Sequence, residues 1–97
     1  MNNVQRYSSF IKRITTAPTP IRKKLLHSSN GDIIRAILEI FINIRNRNVE
    51  LPKQQLAHLR RRSRLIHKLL SIKDVKKQRE FLIEHCQILD PLRHVFK

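Results

Sequence analysis

Five histidines, one cysteine and seven carboxylates are the residues of this 97-residue chain that could do covalent or metal chemistry. The histidines are His27, His58, His67, His85 and His94, and no two of them form the His-Glu-x-x-His spacing that turns ligands to one helix face. A single Cys86 leaves no internal disulfide and no multi-cysteine zinc site. His85 and Cys86 are neighbours, so on a helix they point about 100° apart and do not easily share one substrate atom. A small buried Cys beside an exposed His is the simpler reading. Glu80 and Glu84 with Lys76 and Lys77 read as surface pairing on a helix. The lone Gly31 argues against a glycine-rich phosphate loop. The expectation is a non-enzyme with no cofactor and no metal.

Cationic chemistry is far better supplied. Lys and Arg number 21 against 7 Asp and Glu, a formal charge of +14. Residues 1–30 carry six of these cations and no acid, and residues 51–73 carry seven and no acid. Between them, residues 31–50 are neutral and strongly apolar. The densest run is Arg60-Arg61-Arg62-Ser63-Arg64, flanked by Lys53, Lys68 and Lys73. Guanidinium forks match phosphate oxygens bidentately, so this run reads as a phosphate-binding face. A merely solvated face is the bland alternative, but ordinary soluble surfaces mix the two signs. A nuclear-import signal is compatible with either reading.

The expected phosphate contacts are Lys53, Arg60, Arg61, Arg64 and Lys68, with Arg22, Lys23 and Lys24 assisting. For Arg22-Lys23-Lys24, packing of the aliphatic stems is an equal alternative. Only five aromatic residues are present and most have core spacing. Base stacking on single strands is therefore disfavoured, and a duplex suits the composition better. Six to eight neutralised phosphates would give a log–log salt slope of roughly −5 to −7.

These side chains need elements to position them. Apolar residues recur at helical spacing over 4–15, and Pro18 and Pro20 end that segment. A short helix over 20–27 is expected to bury Ile21, Leu25 and Leu26. Ser29 or Asn30 then caps a helix over 32–47, whose eight Ile, Leu and Phe residues cover more than half of its circumference. After a loop at 46–51, Pro52 opens a helix over 53–70 with Leu56, Leu59, Ser63, Ile66 and Leu70 on one stripe and cations beside it. Asp74 caps a last helix running to about residue 89, burying Val75, Phe81, Leu82, Cys86 and Leu89. Pro91 ends it, and Leu92, Val95 and Phe96 fold back as a final turn. The fold expected is all-α, a compact bundle of four or five helices. Residues 1–17 form a basic helix or arm, and 18–97 form the bundle domain. A helix-turn-helix with 53–70 as its reader is compatible, though the preceding loop is long for that motif.

No apolar run approaches the roughly 18 residues that span a bilayer, and the first twenty residues lack a secretory pattern. A soluble, intracellular protein without a membrane partner is expected. Pro20-Ile21-Arg22-Lys23-Lys24-Leu25-Leu26, Ile33-Ile34-Arg35-Ala36-Ile37-Leu38-Glu39-Ile40, Asn48-Val49-Glu50-Leu51-Pro52-Lys53-Gln54-Gln55, Leu59-Arg60-Arg61-Arg62 and Leu69-Leu70 follow one another along the chain. Over residues 18–84 this order resembles the short basic helical proteins of Polinton/Maverick and adintovirus-like DNA elements. Those proteins often continue into a glycine-containing apolar tail, where this sequence reads Leu92-Arg93-His94-Val95-Phe96-Lys97, so no tail-based role carries over. The resemblance implies a viral or mobile-element origin, a genome-binding role, and a place in the host nucleus or virion core; it points to no catalytic residue. Two other classes fit: a structural module burying the broad apolar helix in a homodimer or against a capsid protein, and a ribosomal-type RNA-associated protein.

Overall fold

The computed structural model describes residues 3–46 and 51–95. Seven α-helices and one 3₁₀ segment account for nearly all of them: α1 Asn3–Arg6, α2 Ser8–Thr16, α3 Thr19–Ser28, α4 Gly31–Arg45, α5 Lys53–Arg61, α6 Ser63–Ser71, α7 Val75–Glu84 and the 3₁₀ segment Cys86–Val95. The all-helical class is as expected; the count of four or five is too low. Two expected helices are each broken once. Tyr7 (φ −110°, ψ 16°) separates α1 from α2, and Arg62 (φ −110°, ψ 17°) separates α5 from α6. Both residues leave the α basin for the bridge region. The cause is tertiary: α1 packs on α4 while α2 packs on α3 and the 3₁₀ segment, and α5 packs on the 3₁₀ segment while α6 packs on α4 and α7. A straight rod would not serve both sets of neighbours.

α4 is the central element. Ile33, Ile34, Ala36, Ile37, Leu38, Ile40 and Phe41 are all buried, with the exposed Arg35 on the remaining arc. Its start is fixed by Asn30, whose Oδ1 accepts a hydrogen bond from the Ile33 amide at 2.9 Å. That side chain satisfies one of the amides a helix start leaves without an intrahelical partner. α7 begins in the same way, with Asp74 Oδ1 accepting from the Lys76 amide at 3.3 Å. Ile11 and Ile14 of α2, Leu26 of α3, Leu69 of α6 and Leu82 of α7 are fully buried in the same core cluster as α4. Residues 3–16 are helical except at Tyr7, and α2 belongs to the same core as the rest of the bundle.

α7 stops at Glu84, short of the expected residue 89. Beyond it Cys86, Leu89 and Leu92 are buried at intervals of three, the repeat of a 3₁₀ helix, which also accommodates Pro91. The expected loop at 46–51 lies outside the described residues except at its two ends, as do Arg47, Phe96 and the side chain of Val4.

Candidate nucleic-acid interface

Arg22, expected among the assisting phosphate contacts, instead points into the fold. Its side chain is buried, with 3% of the residue exposed. Nε donates to the Ile14 carbonyl at 2.8 Å, Nη2 to the Thr15 carbonyl at 2.8 Å, and Nη1 to the Cys86 carbonyl at 2.9 Å. Nη1 also lies 2.7 Å from Asp90 Oδ1. Ile14 and Thr15 belong to the last turn of α2, where carbonyls have no intrahelical partner. Arg22 therefore caps α2 and ties it to the 3₁₀ segment. This inward demand rotates α3, so that Arg22 and Leu26 face in while Ile21, expected to be buried, is 50% exposed.

The remaining expected cations are all exposed: Lys53, Arg60, Arg61, Arg64 and Lys68 on α5 and α6, and Lys23 and Lys24 on α3. None of the seven makes an ion pair among the described residues; the pairs found there are Arg22–Asp90, Arg93–Asp90, Arg35–Asp32 and His85–Glu84. α3 packs chiefly on α2, α7 and the 3₁₀ segment, whereas α5 and α6 pack on each other and on α4, α7 and the 3₁₀ segment. Lys23 and Lys24 thus stand on a third helix, which shares α7 and the 3₁₀ segment as neighbours with the α5–α6 cluster.

The expected apolar stripe of α5 and α6 does not close into the core. Only Leu59 is buried; Leu56, Ile66 and Leu70 are half-buried and Ser63 is exposed. With Phe41 and Ile44 of α4 they line an open groove of about 1030 Å³. Arg60, Arg64 and His67 stand along it from α5 and α6, and Arg45 from α4. Arg45 and His67 were not anticipated. Arg45 was hidden by its place in a segment whose charges cancel, although a cation in the last turn of an apolar helix is itself a signal, since it faces the negative end of the helix dipole.

His58 sits behind this face. Its Nε2 is buried without a hydrogen-bond partner. Loss of solvent, then the positive charge of Arg62, hold its pKa below the usual 6.5; Asp90 pulls the other way, by more than the further push from Arg61. Cys86 is buried, and His85 beside it rests on Phe81 with ring centroids 4.5 Å apart. Among the described residues no group of three or more His, Cys, Asp or Glu side chains could hold a metal ion. No helix there is long and apolar enough to cross a membrane. Comparison with family models, with curated proteins and with solved structures finds no match to the chain.

Proposed function

We propose that this is a non-enzymatic basic protein that binds or condenses duplex DNA through its phosphates, using Lys53, Arg60, Arg61, Arg64 and Lys68. One observation carries the reading: five exposed cations on two consecutive helices, in a stretch with no acid, make no ion pair among the described residues. No carboxylate among the described residues takes up their charge, and a polyanion that releases its counterions is the natural ligand. Arg60 and Arg61 also suit the C-terminal end of the α5 dipole and Lys68 that of α6, but dipoles account for neither Lys53 nor Arg64. The resemblance to proteins of DNA mobile elements agrees with a genome-binding role in the nucleus or virion core.

With Arg22 withdrawn, the five contacts of α5 and α6 predict a log–log salt slope of about −4.5 on random duplex DNA, steeper where Lys23 and Lys24 assist. A flat salt response removes the proposal. Titration with structured RNA under the same salt series separates an RNA-associated role, which would show tighter binding to the RNA. The groove favours a second reading, an interaction module, either alone or alongside DNA binding.

A further inference from the structure

We propose that the groove between α4, α5 and α6 docks one amphipathic helix of a partner protein, with an apolar stripe facing in and acidic residues along its margins. The inference goes beyond the phosphate reading and stands without it. The floor is apolar on both helices, with Leu56 and Leu59 three apart on α5 and Ile66 and Leu70 four apart on α6, yet three of those four side chains are only half-buried. A surface built to pack a helix is here left without one. Helix-in-groove recognition reads such a face through anchors at i, i+3, i+4 and i+7.

The rim decides the charge of the occupant. Arg45 stands on the α4 wall, Arg60, Arg64 and His67 stand on the other, and no carboxylate is among the described lining residues. A second copy of this chain brings +14 against +14, with like-charged rims meeting, and is disfavoured at this site. A small amphiphile is disfavoured by shape, since the groove is open along its side and would leave much of such a ligand in water. A helix about 10 Å across covers an open groove of this kind. Carboxylates at its margins meet the Arg45 and Arg64 guanidiniums.

The test uses a fluorescein-labelled synthetic helix of roughly five turns, with Leu and Phe at the four anchor positions and Glu beside them. A scrambled peptide of identical composition controls for charge. Fluorescence anisotropy should show the patterned peptide binding at least about tenfold tighter than the scrambled one (about 1.4 kcal/mol). Arg45→Glu with Arg64→Glu should weaken the patterned peptide by about as much, whereas Lys76→Glu with Lys77→Glu, the same charge change on α7, should matter far less. Ile66→Gln with Leu70→Gln should abolish the preference for the pattern. If that pair unfolds the chain, the exposed arginine pair still decides. Equal binding of the two peptides, or equal loss in both charge-reversed pairs, overturns the proposal. So does saturation by dodecyl phosphate with no peptide binding, which assigns the groove to an amphiphile, or a concentration-dependent dimer that Leu70→Gln disperses. Arg45 is outside the phosphate set, so undiminished peptide binding in Arg45→Glu with an unchanged DNA salt slope sinks the groove reading alone. A flat DNA slope with intact peptide binding sinks the phosphate reading alone.

Discussion

Replacing Arg22 by Ala should damage the fold rather than the interface. Three carbonyls, those of Ile14, Thr15 and Cys86, lose a charged donor at once, and Asp90 loses its 2.7 Å partner. Hydrogen bonds to a charged group are worth about 1.5–3 kcal/mol each, but the three share one guanidinium and do not add. The Asp90 side chain is 35% exposed, so water screens its part, about 1 kcal/mol or less. Removing one partner of a buried ionic group costs about 3–5 kcal/mol in total, and about 4 is expected here. A domain of this size has about 5–15 kcal/mol to lose, and its midpoint moves by about 4–8 °C per kcal/mol. Urea unfolding followed by circular dichroism measures the loss. Arg22→Lys should recover part of it, because an ammonium keeps the charge but not the planar fork. Asp90→Ala should cost less than Arg22→Ala, since the three carbonyls still hold the guanidinium. A loss below about 1 kcal/mol, with the DNA salt slope reduced by about one unit, would refute the reasoning and return Arg22 to the phosphate contacts.

Three further outcomes are expected. Changing Arg60, Arg61 and Arg64 together to Ala should lower the salt slope from about −4.5 to about −1.8 and leave the melting temperature nearly unchanged, because these side chains have no ion pair to lose. Asn30→Ala removes the α4 cap and should cost about 1 kcal/mol in chemical unfolding. His58 takes up a proton at its ordinary pKa of 6.5 when unfolded but resists it when folded. Stability is therefore full above pH 6.5 and falls as the pH drops from there toward the depressed folded value, and His58→Gln should flatten that part of the profile.

Where apolar periodicity alone decides a helix, the sequence was readable. The β-branched run from Ile33 to Ile44 forms α4, because its polar residues recur at helical intervals, and of the two caps expected, Ser29 or Asn30, it is Asn30 that serves. α3 was misread for a reason hydrophobicity cannot express. Ile21 is the greasier residue, but the last carbonyls of α2 need a donor, and only the neighbouring Arg22 reaches them. The break at Arg62 has no local signature either. The spacing of Leu56, Leu59, Ile66 and Leu70 runs through it unchanged, and only the different neighbours of α5 and α6 divide the helix. Beyond α7, Cys86, Leu89 and Leu92 satisfy a period of three as well as an irregular α-helical stripe, so sequence spacing does not choose between them. The cationic density of α5 and α6 was legible as composition. That Arg45 stands on the opposite wall of the same groove depends on packing.

The open groove and the unpaired arginines have a common physical origin. Closing α4 against α5 and α6 would finish burying Ile44, Leu56, Ile66 and Leu70 and gain hydrophobic free energy, about 25 cal/mol for each Å² removed from water. The same movement would carry Arg45 toward Arg60 and Arg64 and strip water from guanidinium groups with no carboxylate among the described residues to receive them. Desolvating an unpaired charge costs several kcal/mol, so a handful of half-buried apolar side chains does not repay it. The groove therefore stays open while its rim lacks anions. Phosphates or acidic side chains supply what closure needs, because each removes a repulsion as well as adding an attraction. On that argument a polyanion and an acidic helix draw on the same two residues, Arg60 and Arg64, and occupancy by one should exclude the other.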